Sequence, residues 1–154
     1  MAGWLTTYKP ELILLHTGTN DIDSNNQDAA QVEASLTTLL GTIYSTLPKV
    51  HVIVAQIIGI SDYSPFAQYA AEEATVTAYD ADIPTIANTF TAKGDSIEVV
   101  NMNILNANTD YWIGNDGSPQ DQDYHPNQAG YNLMAATWEP LVQSQYTQYE
   151  ANPW

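Results

Sequence analysis

The chain contains no cysteine, so disulfides, thiolate metal sites and cysteine nucleophiles are all excluded. Cations are nearly as scarce: 3 Lys plus Arg stand against 18 Asp plus Glu, for a formal net charge of −15. Nucleic acid and anionic membrane surfaces both need clustered cations to neutralise phosphate, so neither is an expected partner. No apolar run approaches the ~18 residues needed to cross a bilayer. The opening residues, Met1 to Pro10, carry no apolar stretch of the kind a secretory leader needs. Charged residues of either sign make up only 14% of the chain. The surface must then be largely polar and uncharged, which suits neutral or cationic ligands.

What is present argues for a folded domain. A hydrophobic fraction of 44% with four Trp in 154 residues is enough for one real core, and too little chain for two domains. A single domain spanning 1–154 is expected. The apolar run Leu12 to Leu15 has the length of a strand buried on both faces, and it breaks into the loop residues Thr17-Gly18-Thr19-Asn20-Asp21. Val32, Leu36, Leu39, Leu40 and Ile43 recur at three- and four-residue spacings, so a helix is expected there, with its cap among Ser24 to Asp28. Leu47-Pro48 stops it. A second strand follows from Val50 to about Ile58, rich in β-branched residues. A long helical stretch from Phe66 to about Lys93 is expected to break near Ile83-Pro84. Gly94-Asp95 ends it, and Ile97 to Val100 forms a third strand. Asn101 to Asp123 is polar and turn-rich, and a final helix opens at Asn127 and runs to about Gln145, with Pro140 a candidate break.

Strands alternating with helices imply a parallel sheet in an α/β domain. Loops at the carboxyl ends of such strands form the ligand crevice, which makes the Asn20-Asp21 turn a candidate site. The alternative is a turn that merely ends a strand. A second candidate is Asp121-Gln122-Asp123-Tyr124-His125-Pro126-Asn127, where a histidine beside carboxylates precedes a helix. Such a histidine can act as a general base with an orienting acid, or be a solvated loop residue.

Taken together, Gly18-Thr19-Asn20-Asp21 after a strand and His125-Pro126-Asn127 with Ala129-Gly130-Tyr131 far downstream resemble the SGNH/GDSL hydrolases. The resemblance is nearest the carbohydrate-esterase branch that includes acetyl xylan esterases. Tyr8-Lys9-Pro10, Tyr79 to Pro84 and Met134-Ala135 fit the same pattern, so it covers essentially the whole chain. It implies a three-layer α/β/α, flavodoxin-like fold and a serine ester hydrolase without cofactor or metal. Asn20 matches the side-chain oxyanion donor, Gly18 the close backbone turn and His125 the catalytic base. Pre-aimed oxyanion donors are worth ~3–4 kcal/mol each. The implied substrate is an acylated carbohydrate or small ester, and the implied location is extracellular.

The chain departs from the family pattern in three places. The strand and Gly-Asp-Ser block that carry the nucleophile should precede Gly18, as should the block whose glycine adds an oxyanion N–H. Neither does, so the fold is expected to lack its first two strands, with the serine supplied from elsewhere or from an unexpected position. The acid that orients the histidine belongs at Gln122, leaving Asp123, or else Asp121, to take its place. Losing such an acid to an amide costs a serine protease about 10⁴ in rate. Finally, Gly94-Asp95-Ser96 follows a helix and precedes a strand, the reverse of the nucleophile block, and Gly94 as a helix cap explains it.

His16 is expected beneath the Asn20 loop and His51 at the start of a strand, neither with metal-ligand spacing. The acids between Asp110 and Asp123 lack EF-hand spacing. Trp112, Tyr111 and Tyr124 would suit stacking on a sugar or core packing alike. A second reading of the whole chain is a catalytically inactive relative, binding or self-assembling into a homo-oligomer through the sheet edge its missing strands would expose.

Overall fold

The computed structural model describes residues 2–59, 67–107 and 125–151. The chain begins with helix α1 (Ala2–Tyr8), strand β1 (Leu12–Leu15), the short helix α2 (Thr19–Asp23) and helix α3 (Ala29–Thr46). Strand β2 (His51–Gln56), helix α4 (Ala67–Thr91) and strand β3 (Ser96–Asn101) come next, then a 3₁₀ turn over Asn103–Ala107 and helix α5 (Gln128–Ala151). The three strands pair in parallel in the order β1-β2-β3, with Leu12 opposite His51 and His51 opposite Ser96.

Strand alternation divides the core in two. Val52 and Val54, with Ile13, Leu15, Ile97 and Val99, face α1, α3 and α4, whose Leu5, Leu36, Leu40, Tyr79, Ile83 and Phe90 fill that layer. Ile53, Ala55 and Val100 face the other way, against Leu133, Met134, Trp138 and Leu141 of α5. The result is the expected three-layer α/β/α arrangement. The cap of α3 is Asp28, whose carboxylate accepts from the Gln31 N–H at 2.9 Å while the Gln31 amide oxygen accepts from the Asp28 N–H at 3.0 Å. This reciprocal pair satisfies two otherwise orphaned helix donors. Gly94 takes φ +94° in the turn after α4, with its N–H donating to the Thr91 carbonyl at 2.9 Å.

Four local expectations are corrected. β1 is not buried on both faces: Leu14 is 45% exposed, because β1 pairs only with β2 among the described strands and α5 covers Leu12 but not Leu14. Thr19–Asp23 is a helical turn rather than an open loop. The long helix does not break at Pro84. That proline has no N–H for the Asp80 carbonyl, four residues back. The carbonyl instead accepts from Gln56 Nε2 at 2.8 Å, so α4 continues. Pro140 likewise sits inside an unbroken α5, and Ala136, whose carbonyl it leaves free, is exposed to water.

Candidate active site

Parallel pairing sends the carboxyl ends of all three strands to one side. From β1 the chain passes through His16, Thr17 and Gly18 into α2. Gly18 is buried at φ +126°, a backbone conformation that disfavours any side chain. A Cβ there would also lie 2.7 Å from Cε1 of Tyr79 and 3.2 Å from Cγ1 of Val32. Tyr79, on α4, is fully buried, and its phenol donates to the Thr17 carbonyl at 3.2 Å. The turn is thus pressed onto an aromatic ring from below and hydrogen-bonded to it. One residue into α2, Asn20 is exposed at the mouth of this turn, while Ile22 inserts into the core.

His16 braces the same turn. The Ile58 N–H donates to His16 Nε2 at 3.3 Å, which requires an unprotonated Nε2 and puts the ring proton on Nδ1. Burial pulls the His16 pKa below its ordinary value, in keeping with a neutral ring. His16 is half-buried and links β1's exit to β2's.

A residue inside the Tyr79 to Pro84 segment, but not among the candidate site residues, ties these exits to α4. Asp80 is 4% exposed; its Oδ1 accepts from the Ile57 N–H at 2.7 Å and its Oδ2 from Asn103 Nδ2 at 2.9 Å. Desolvation raises its pKa to about 6, against the opposing pull of those two hydrogen bonds. The signal was available: Val76, Tyr79, Ile83, Ala87 and Phe90 form the apolar stripe of α4, and Asp80 is a carboxylate within it. A lone acid on a core-facing stripe has to be accounted for by specific partners.

The last contribution comes from the start of α5. Its early residues Leu133 and Met134 pack with Ile58, Met102 and Leu105, at the carboxyl end of the sheet. Its late residue Gln145 bonds Glu98, near the amino end of β3. The helix therefore runs against the strands, and its N-terminus sits on the same side as Asn20. Asn127 caps it, accepting through Oδ1 from the N–H groups of Ala129 and Gly130 at 2.9 and 3.0 Å. Pro126 is buried and His125 is exposed just before it. The topology thus delivers Gly18, Asn20 and His125 to one end. Asp121, Gln122 and Asp123 lie outside the described residues, as do Tyr111, Trp112, Tyr124 and the acids from Asp110 on. Among the described residues no cluster of His, Cys, Asp or Glu could hold a metal ion, and no helix is long and apolar enough to cross a membrane.

The sequence profile of the GDSL-like lipase/acylhydrolase family matches residues 2–133. The chain belongs to that family. No curated protein sequence matches it closely enough to count as a relative. Among solved structures, this GDSL-family chain is similar to a carbohydrate esterase family 3 from Talaromyces cellulolyticus, at 24% identity and a TM-score of 0.77 over 96% of this chain and 64% of that one. An acetyl esterase mutant with acetate ion matches at the same values. A family 3 carbohydrate esterase from Clostridium thermocellum matches at 26% identity and a TM-score of 0.63, over 89% of this chain and 58% of that one. The GDSL-family chain thus spans less than two thirds of these structures' lengths, and the shared part is the three-layer fold with its parallel sheet.

Proposed function

We propose that this chain is an SGNH-type ester hydrolase acting on acylated carbohydrate, or the C-terminal part of one, and that it works outside the cell. The observation that carries this reading is the delivery of Asn20 and His125 to one end of the sheet in a chain of the GDSL-like family. That two similar structures are family 3 carbohydrate esterases supports the carbohydrate substrate. A serine hydroxyl attacks the acyl carbonyl while His125 takes its proton. The Asn20 amide donates to the oxygen on which charge develops, and Gly18 keeps the turn low enough for the acyl group to approach. Asp123 orients His125 and stabilises the imidazolium. His125 then returns the proton to the departing sugar hydroxyl, and water releases the acid by the same steps.

The test is hydrolysis of p-nitrophenyl acetate and of acetylated xylo-oligosaccharide. Activity abolished in His125→Ala and lowered about 10²–10³-fold in Asn20→Ala supports the reading. Activity indifferent to both substitutions overturns it. A second reading, a non-catalytic protein that self-assembles, is favoured by one observation: β1 has a single partner strand among those described, beside an exposed Leu14. An unpaired edge of this kind recruits further strands. An inactive chain that sediments as a dimer, and becomes monomeric in Ile13→Pro, would favour it.

A further inference from the structure

At the opposite, amino end of the sheet, three side chains stand in line. The register sets His51 beside Ser96 and Ile53 beside Glu98. Alternation along the strands then puts Ser96, His51 and Glu98 on the face that α5 covers. Ser96 Oγ lies 2.6 Å from His51 Nδ1, and His51 Nε2 lies 3.6 Å from Glu98 Oε1. Gln145 Nε2 donates to that same carboxylate oxygen at 2.9 Å and holds it in place. The Tyr44 phenol donates to the Ser96 carbonyl at 2.8 Å and fixes the backbone of the serine. His51 is 5% exposed, whereas Ser96 is open to solvent.

We propose that Ser96 is an activated nucleophile, with His51 as its base and Glu98 behind the base, able to accept an acyl or phosphonyl group from a small electrophile. This site is separate from the crevice of Asn20 and His125 and does not rest on it.

The proton arrangement is set by the partners. The Glu98 charge, 3.6 Å from Nε2, favours the imidazole proton on that nitrogen, and in the proposed site Nδ1 accepts from the Ser96 hydroxyl. Nucleophile and base are within hydrogen-bond reach, the signature of an activated hydroxyl, while Glu98, 3.6 Å from Nε2 and beyond a direct hydrogen bond, acts on the ring through its charge. Burial lowers the pKa of His51, against the opposing pull of Glu98, so the ring is a neutral base at neutral pH. Among the described residues, Glu11, just before β1, and Tyr146 and Tyr149 of α5 face its cavity side, and Tyr44 and Asp95 stand at the Ser96 backbone. With Leu12 and Val142, Tyr146 and Tyr149 wall this cavity of about 190 Å³ on the β1 side of His51, whereas the exposed Ser96 on the β3 side meets its electrophile from solvent. In the phosphonyl case the Oγ–P bond forms as P–F breaks, fluoride leaves, and the hydroxyl proton passes to Nδ1. With an activated ester the Oγ–C bond forms, the ester C–O bond breaks, and the alcohol leaves with the proton returned by His51.

The test is labelling of the full chain with a fluorophosphonate between pH 5 and 9, with adducts located by peptide mass spectrometry. Exposed Ser24, Ser35 and Ser45 are internal references. Ser96 is expected to label about 10²-fold faster than they do, the low end of what a positioned base supplies. Its rate should be level at neutral pH and fall on the acid side along a limb that lies below the ordinary imidazole pKa of about 6.5, because burial lowers that of His51. Glu98→Gln, an exchange at a half-exposed side chain, should slow labelling and move the acid limb to lower pH, because the carboxylate was raising the His51 pKa. Labelling of Ser96 no faster than the reference serines, or a rate rising with hydroxide across the whole range, overturns the proposal: the 2.6 Å contact then only holds two strands together. An adduct on another serine with Ser96 unmodified overturns it too, and leaves the crevice reading standing.

Discussion

The ring of Tyr79 occupies the space that a side chain on Gly18 would need, 2.7 Å from the position of its Cβ. The tyrosine is fully buried and cannot swing aside, and its phenol is already bonded to the neighbouring Thr17 carbonyl. A helix on one face of the sheet thereby sets the height of the turn that presents Asn20.

Gly18→Ala should therefore be costly on two counts, the φ of +126° and the collision with Tyr79. Overpacking of this kind costs about 1–3 kcal/mol and a non-glycine residue at such a φ about 1 kcal/mol or more, so a loss of about 2–4 kcal/mol is expected. Chemical denaturation followed by circular dichroism measures it. A loss under about 0.5 kcal/mol, within the range of a neutral surface change, would show that the turn yields freely. Tyr79→Leu in the same background should recover part of the loss by making room.

Asp80 supplies a pH dependence whose sign is fixed. Its folded pKa of about 6 lies above the ordinary 3.8, so the folded state favours the protonated acid. That contribution is whole below pH 4 and is lost as pH rises through 6, at about 1.4 kcal/mol per pKa unit, or about 3 kcal/mol by neutrality. Asp80→Asn keeps an acceptor for the Ile57 N–H, and the Asn103 amide has only to turn over to meet the new NH₂ group. The variant should match the wild type at pH 4 and exceed it increasingly up to pH 7. Parallel stability curves for the two proteins across that range would contradict the raised pKa.

How far the sequence disclosed this molecule depended on whether the deciding contact was local. Helix α3 announced itself by period and strand β2 by its β-branched run, whereas the cap was placed only among Ser24 to Asp28 and the structure identifies it as Asp28. Gly18, Asn20 and His125 were legible as candidates because a short spacing in a stated order carries them. The helical turn Thr19–Asp23 was not legible, since five residues are too few to show a period. The contact between Ser96 and His51 was hidden for a different reason. It exists only because two strands distant in sequence pair in one register, and no local pattern states that register. The exposure of Leu14 likewise depends on what does and does not lie beside β1. Asp80 was readable in principle, as an acid in an otherwise apolar stripe, but its partners Ile57 and Asn103 were not.

The continuity of α4 gives the sharpest test of a long-range repair. Pro84 deprives the buried Asp80 carbonyl of its helical donor, and Gln56, at the end of β2, supplies another at 2.8 Å. If that bond is what lets the helix pass the proline, Gln56→Ala should strand a buried carbonyl and cost about 1–3 kcal/mol. In a Pro84→Ala background residue 84 regains its N–H, the carbonyl has a donor within the helix, and Gln56→Ala should cost markedly less. The double-mutant cycle over Gln56 and Pro84 is then expected to show a coupling of about 1 kcal/mol or more, measured by urea denaturation. Additive losses would mean that Gln56 contributes only its packing. The carbonyl would then tolerate the proline unaided, and the tie between the exit of β2 and α4 would rest on Asp80's own carboxylate.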